Sequence, residues 1–396
     1  MGCSGVDKII IDSNYFEWCD VVLDGEGTYE WLNQPETETW TPVYAGWTLG
    51  AVKRSGRDWL FSNNIVINSS EHAVYAAGMN VNVSGCTFRA EDSTNCGGDI
   101  KLRCVGGVIS GNTIAAGLNG TCISVSEYST NMTITGNTCY SDSDNLAGGV
   151  INIETEGLSS YIDNRPWYTA YYQTENITVS GNSIRIPSTT VTGIKHVGVR
   201  IYSDSSDANY PEGQMRNILI SGNTFKNHYH GVYVVGALAK NVIIEGNLFD
   251  AKPFTSSGFS SGSTMNTYSC LNIYSSNTFA GVEIKFRDNN VKGSEYVFAT
   301  HDGGGTSVDL PFGITNNYLF AIKNFKTSDM KTPAQFNMFQ NNTGQSFLDR
   351  TGWVSSHSLN NSLGSGTSNS ERKYNFAYNG ANVIFYTDDS GTTLTL

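Results

Sequence analysis

The sequence predicts an all-β fold, a parallel β-solenoid with loop insertions and a small C-terminal β-rich region. Two observations support this prediction. The octapeptide Ile218-Leu-Ile-Ser-Gly-Asn-Thr-Phe225 recurs in similar form along the chain, as in proteins built from stacked repeats. The 396-residue chain also contains 42 Gly but only 8 Pro and 15% charged residues, which is typical of many short strands joined by tight bends.

The octapeptide itself combines a strand signal with a bend signal. Ile218 and Ile220 alternate with other residues and predict a strand with one buried face. Ser-Gly-Asn predicts a bend, because Gly and Asn tolerate left-handed backbone dihedrals. Close copies are Val81–Phe88, Val108–Ile114, Met132–Cys139, Ile177–Ile184 and Val242–Phe249.

The spacing of these bends predicts the coil. Their last Asn residues are 22 to 28 residues apart, or 41 to 45 where an insertion intervenes. A period in the twenties fits three strands and three bends per coil, each coil burying the face of its neighbour. In such a stack, the Asn side chains are expected to form a hydrogen-bonded ladder.

Four segments interrupt the repeat, at about 25–57, 161–172, 204–214 and 252–268. The first two are rich in aromatic residues. We predict that residues 1–342 form the solenoid domain with these insertions. The repeat is lost in residues 343–396, which we predict to be a separate β-rich segment and a candidate subunit contact.

Composition argues against several classes of partner. A net charge of −12 argues against nucleic acid, because phosphate binding requires basic patches. No run of about 18 apolar residues predicts a membrane helix, and the N-terminus lacks the basic and apolar regions of a signal peptide. The 8 Cys lack metal-ligand spacing and are scattered, as expected for assembly in a reducing cytosol. We predict no metal, cofactor, nucleic-acid or membrane partner.

A second strand of each coil can be aligned by its pair of inward apolar residues, such as Ile151 with Ile153 and Val199 with Ile201. Alternation sends the residues between them outward, and outward residues of adjacent coils stack about 4.8 Å apart. The alignment therefore predicts one exterior patch bordered by the aromatic insertions. Its members are Lys101, Arg103, Glu154, Glu156, Arg200, Tyr202 and Asp204.

Carboxylates, cations and aromatic rings in one groove are typical of a carbohydrate site. Glycoside hydrolysis needs two carboxyl groups, about 5–5.5 Å apart for retention or 6.5–9.5 Å for inversion. Glu154 and Glu156 would lie about 6.6–7 Å apart by strand rise, and Glu156 and Asp204 would be closer. We predict these three residues as catalytic, and the sequence does not choose between the pairs. The predicted substrate-binding residues are Lys101, Arg103, Arg200, Tyr202, Trp167, Tyr168, Tyr171 and Trp40.

Three alternatives remain open. A polysaccharide lyase needs groups that neutralise a uronate carboxylate and a base beside it, and Lys101, Arg103, Arg200, Tyr202 or His196 are candidates. A non-catalytic adhesin needs the aromatic loops but not the carboxylates. A secreted pectinase-like enzyme is expected to be a monomer. Calcium sites at Asp142-Ser-Asp144 or Asp204-Ser-Ser-Asp207 are disfavoured, because short acidic loops of this kind are usually plain turns.

The repeated coils, aromatic insertions and non-repeating C-terminal segment resemble the right-handed parallel β-helix tailspikes of bacteriophages over about residues 4–342. The resemblance implies a homotrimer that cleaves bacterial capsular polysaccharide or O-antigen, mostly as an endoglycosidase and sometimes as a lyase. It also implies assembly in the host cytoplasm, a virion location, extracellular action and attachment to the phage particle through a domain upstream of residue 1. No catalytic motif of these tailspikes matches here, so the predicted site depends on strand alignment.

Overall fold

Each coil contributes three strand segments, and the tight bend between the first segment and the second ends in Asn, or in Cys86 in one coil. All regular elements in the described residues are strands. The computed structural model describes residues 2–4, 8–24, 57–70, 72–91, 97–117, 120–126, 129–141, 149–155, 174–185, 197–203, 215–228, 230–235, 239–250, 269–275, 283–302, 310–328, 336–340, 343–346, 358–359, 362–365, 372–374, 376–378, 383–385 and 394–395.

The strands in the first part of the chain are β1 Gly2–Ser4, β2 Ile10–Asp12, β3 Tyr15–Glu17, β4 Val21–Asp24, β5 Arg57–Ser62, β6 Ile65–Ile67, β7 His72–Ser84, β8 Thr87–Arg89, β9 Asp99–Ser110, β10 Thr113–Ala116, β11 Ile123–Ser126, β12 Thr130–Thr135, β13 Thr138–Ser141, β14 Gly149–Thr155, β15 Thr174–Ser180, β16 Ser183–Arg185, β17 Val197–Ser203 and β18 Met215–Ser221. Those that follow are β19 Thr224–Lys226, β20 His230–Val235, β21 Ala239–Glu245, β22 Leu248–Asp250, β23 Ser269–Ser275, β24 Ile284–Arg287, β25 Asn290–Asp302, β26 Leu310–Thr315, β27 Tyr318–Ser328, β28 Phe336–Gln340, β29 Thr343–Ser346, β30 Ser358–Leu359, β31 Ser362–Ser365, β32 Arg372–Tyr374, β33 Phe376–Tyr378, β34 Val383–Phe385 and β35 Leu394–Thr395.

Strands from successive coils pair in parallel and form three ladders. Sheet A contains β2, β5, the second half of β7 and of β9, β12, β15, β18, β21, β24, β26 and β28. Sheet B contains β3, β6, β8, β10, β13, β16, β19, β22 and the first parts of β25 and β27. Sheet C contains β1, β4, the first half of β7 and of β9, β11, β14, β17, β20, β23 and the second part of β25. The predicted right-handed parallel β-helix is confirmed.

A ladder of buried Asn side chains runs along the bends between sheets A and B, as predicted. Each amide except the last in the run Asn112–Asn137–Asn182–Asn223–Asn247–Asn289–Asn317 donates from Nδ2 to Oδ1 of the next, over 2.9–3.2 Å. Each Oδ1 that accepts also receives the backbone N–H of the preceding Asn. Cys86 replaces Asn in one coil, and its N–H still donates to Asn112 Oδ1 over 2.9 Å.

The alignment of inward apolar pairs between coils missed one coil of sheet C. Strand β7 inserts Val74 and Ala76 as an inward pair between the coils of β4 and β9. Near the C-terminus, parallel pairing continues beyond residue 342 through β29 and β31 as far as Gly364. Antiparallel pairing begins at β32, and β33, β34 and β35 form a separate antiparallel ladder.

Two glycines of sheet C accommodate two phenylalanine rings of sheet B. A Cβ on Gly231 would lie 2.4 Å from Phe249 Cε1 and 2.8 Å from the Cys270 carbonyl oxygen, and one on Gly198 would lie 2.5 Å from Phe225 Cδ1. The two rings stack with centroids 4.7 Å apart and planes at 6°. Glycine is therefore required here by close approach between sheets rather than by a bend.

We expect Gly231→Ala to lower the free energy of unfolding by about 1–3 kcal/mol, because the added methyl overpacks a filled core. Equilibrium urea unfolding measures the loss. Combined with Phe249→Leu, the same substitution should cost less than it does alone, because the contact with the ring is gone and only the contact with the Cys270 carbonyl oxygen remains. Equal costs in the two backgrounds would contradict this account of the glycine.

Candidate functional site

The outward face of sheet C carries two columns of side chains in register, of which Ser124, Ser126, Asn152, Tyr233 and Asn272 are buried. The first column is Val22, Tyr75, Lys101, Ser124, Asn152, Arg200, Tyr233 and Asn272. The second contains Ser126, Glu154, Tyr202, Val235 and Tyr274, and Asp24, Ala77 and Arg103 pair at its N-terminal end. These pairings match the predicted alignment, with Tyr75 and Ala77 added by the coil that the alignment missed.

Glu154 lies on β14 near the middle of this face. Its backbone is in register with Ser126 on one side and Tyr202 on the other. Its carboxylate is half-buried and accepts a hydrogen bond from Ser124 Oγ, with Oγ and Oε1 3.1 Å apart. A hydroxyl donor suits an acceptor carboxylate, so Ser124 holds Glu154 in place on the exterior.

An aromatic ring and a cation lie next to Glu154. The Arg200 guanidinium carbon is 4.2 Å from the centroid of the Tyr202 ring, within the range of a cation–π contact. Arg200 is itself in register with Asn152, two residues before Glu154. The outward face of the strand pair β14–β17 therefore carries a carboxylate, a guanidinium and a phenol side by side, all three half-buried.

The N-terminal end of the face carries a second cluster, centred on Tyr75. Arg103 Nη1 donates to Tyr75 Oη over 3.0 Å, and its guanidinium carbon lies 5.5 Å from the ring centroid. The His72 ring stacks near Tyr75, with centroids 6.0 Å apart and planes at 24°. His72 Nδ1 lies 2.8 Å from Asp99 Oδ1. Lys101 pairs in register with Tyr75.

We call the following seven residues of the two groups and the strands between them the polar patch: Tyr75, Lys101, Arg103, Ser124, Glu154, Arg200 and Tyr202. Sequence reasoning missed Tyr75, His72 and Asp99. The signal that could have found them was the apolar pair Val74 and Ala76, which directly precedes the repeat copy Val81–Phe88.

The charges of sheet A are arranged differently from those of the polar patch. Arg216 pairs with Glu175 over 3.6 Å, and Arg287 Nη2 with Glu245 over 2.6 Å, each across neighbouring coils. Within the parts of the chain that the structure describes, no such ion pair engages Lys101, Glu154 or Arg200. These three charged side chains of the patch are therefore not used in ion pairs between neighbouring coils.

Several predicted site residues lie outside the described residues. They are Glu156, Asp204, Trp40, Trp167, Tyr168 and Tyr171, together with nearly all of the four predicted insertions. The predicted carboxylate separations that involve Glu156 and Asp204 therefore stay predictions. The same holds for His196, a candidate base of the lyase alternative.

Other features of the described residues bear on cofactors and membranes. No group of three or more His, Cys, Asp or Glu side chains in the described ranges is arranged to hold a metal ion. His228 lies in the interior, edge-on to Phe225 and Phe249, with centroids 6.3 and 5.7 Å away. No helix among the described residues has the length and hydropathy needed to cross a membrane.

No protein-family model matches this chain, and no curated protein matches it either. Among solved structures, it is similar to the surface protein and adhesin PfbA of Streptococcus pneumoniae, with 13% identity and a TM-score of 0.46 over 79% of this chain and 85% of that one. It is also similar to a hyperthermoactive exopolygalacturonase from Thermotoga maritima, with 12% identity and a TM-score of 0.37 over 99% of this chain and 86% of that one. At these identities and TM-scores, the likeness carries no argument about what this chain binds or cleaves.

Proposed function

We propose that this chain is a tailspike-like depolymerase that binds a bacterial surface polysaccharide, a capsule or an O-antigen, and hydrolyses internal linkages. The observation that carries the proposal is the polar patch. Glu154 stands there beside Tyr202 and Arg200 on an exterior strand face, and neither Glu154 nor Arg200 is consumed by an ion pair among the described residues.

The chemistry follows from the residue types. In hydrolysis, one carboxyl group protonates the glycosidic oxygen and a second, ionised carboxylate activates water or attacks the sugar carbon. Glu154 accepts from Ser124, and we assign it the role of the ionised carboxylate. The acid is proposed to be Glu156 or Asp204. These residues directly follow Thr155 and Ser203, which pair with each other on β14 and β17.

The proposed substrate contacts divide by chemistry. Tyr202 offers a ring for the apolar face of a sugar, and Lys101, Arg103 and Arg200 offer donors to its oxygens. Trp40, Trp167, Tyr168 and Tyr171 are proposed as further aromatic contacts from the insertions. As the resemblance implies, we also propose a homotrimer that is carried on a phage particle. The pectinase-like alternative predicts a monomer, so the solution mass separates the two.

Incubation with a panel of purified capsular polysaccharides and O-antigens, followed by mass spectrometry, tests the proposal. We expect one polymer to be cut into fragments whose masses equal whole repeat units plus one water, because hydrolysis adds water across the linkage. A polymer that is bound but remains intact would favour an adhesin and contradict the proposal.

Elimination is the alternative that the patch also supports, since it carries three cationic side chains, Lys101, Arg103 and Arg200. Elimination requires a uronate, whose carboxylate these cations could neutralise. The products differ, because a lyase releases fragments without added water and leaves an unsaturated uronate that absorbs in the ultraviolet. The same digest therefore separates a lyase from a hydrolase.

A further inference from the structure

The cluster at the N-terminal end of the polar patch has the features of a separate subsite. Tyr75 is held at its hydroxyl by Arg103 and at its ring by His72. A ring fixed by two neighbours presents a defined surface, and the part of the half-buried Tyr75 ring that remains exposed is suited to the apolar face of a sugar. The side chains nearest to this ring include two permanent cations.

The charge balance of this cluster favours an anionic ligand. Among the described residues, the carboxylate that this cluster holds is Asp99, whose side chain is only 9% exposed and is engaged by His72 at 2.8 Å. Lys101 and Arg103 are half-buried, and no carboxylate among the described residues lies within 4.0 Å of the Lys101 ammonium. The chain as a whole carries a net charge of −12, so two neighbouring cations on one strand, Lys101 and Arg103, run against its general character.

We propose that Tyr75, Lys101 and Arg103 form a subsite for an acidic sugar, a uronate or other carboxylated residue of the polysaccharide. The Tyr75 ring covers the sugar, and the ammonium and guanidinium bind its carboxylate, contacts that are charge-assisted and therefore strong. His72 and Asp99 are positioning residues that fix the ring. This inference rests on the proposed function and adds the substrate class.

The subsite is distinct from the point of cleavage. Strands β7, β9, β11 and β14 are successive neighbours in sheet C, so the strands that carry Tyr75 and Glu154 are three strand spacings apart, about 14 Å. A polymer that runs along the helix axis would therefore bind its acidic residue at one end of the patch while Glu154 acts on another residue.

The experiment uses the same panel of capsular polysaccharides, with each acidic member also tested after chemical reduction of its carboxyl groups to alcohols. Binding to the full chain is measured by calorimetry for the wild type, Lys101→Gln and Arg103→Gln. Lys226→Gln and Arg185→Gln are matched controls, because they remove the same charges from exposed positions on sheet B. Arg103→Lys keeps the positive charge. Partial recovery of affinity in this variant would show that Arg103→Gln does not act simply by unfolding the protein.

We expect an acidic polymer to bind about tenfold or more tightly than its reduced form, and each patch variant to lose about tenfold on the native polymer alone. Arg103→Lys should recover part of that loss, and the sheet B controls should lose none. Equal binding of native and reduced polymer, or equal losses in patch and control variants, would overturn the subsite.

The outcomes also separate this inference from the proposed function. Cleavage of a neutral polymer, independent of Lys101 and Arg103, would remove the acidic-sugar subsite and leave the depolymerase standing. Tight binding of an acidic polymer that depends on both cations but is never cut would support the subsite and remove the hydrolase. Failure to bind any member of the panel would count against both.

Discussion

Replacement of Asn223 by Leu is expected to lower the free energy of unfolding by about 3–5 kcal/mol. The Asn223 side chain is buried and donates to the Val179 carbonyl oxygen over 2.9 Å and to Asn247 Oδ1 over 3.0 Å. Its Oδ1 accepts from the N–H and the Nδ2 of Asn182, both over 2.9 Å. Leucine keeps the volume but leaves buried polar groups unpaired, at about 1–3 kcal/mol each. Equilibrium urea unfolding, followed by circular dichroism, measures the loss.

The chain supplies a matched control in a second, exposed Asn ladder. Asn217 Nδ2 donates to Asn176 Oδ1 over 3.0 Å and its Oδ1 accepts from Asn241 over 2.8 Å. Its φ of 57° is one that glycine adopts without strain. Asn217→Gly should therefore cost less than about 1 kcal/mol, because water replaces both bonds. Similar losses for Asn217→Gly and Asn223→Leu would contradict the view that burial makes the inner ladder strong.

The coil was predictable because its signals are local. The Ser-Gly-Asn bend and the alternating apolar pairs are short-range patterns, and a fixed interval between them implies stacking. The inner ladder followed from the same interval, and even the exception at Cys86 lay on it. Gly198 and Gly231 were not predictable in this way, because their role depends on Phe225 and Phe249, which come from another sheet.

The candidate site was predictable only as far as strand register. Alignment of inward pairs correctly set Glu154 beside Tyr202 and Lys101 beside Ser124. The stacking of Arg200 on Tyr202 depends on side-chain rotamers that no spacing encodes. The cluster around Tyr75 was missed for a different reason, since β7 runs through two sheets without a Gly-Asn bend to mark its first half.

Glu154→Gln is expected to reduce the rate of depolymerisation by about 10²–10⁴-fold, the usual contribution of a positioned acid–base group. The amide oxygen of glutamine can still accept from Ser124 Oγ, so the side chain should keep its place. Gln cannot act as a base or as a carboxylate nucleophile at the sugar. Release of fragments from the degraded capsule or O-antigen, followed by mass spectrometry, measures kcat, and calorimetry measures the affinity for the same polymer.

The expected signature is a large loss in kcat with little change in affinity, because the substitution removes a charge needed for the chemistry rather than a substrate contact. Glu245→Gln is the matched control. It neutralises a carboxylate on sheet A that is paired with Arg287 and should leave the rate unchanged. A wild-type rate for Glu154→Gln would remove Glu154 from the catalytic machinery. A rate that falls only in step with affinity would assign it to binding, as the adhesin alternative requires. The kinetics of Glu154→Gln therefore test directly whether the polar patch catalyses hydrolysis.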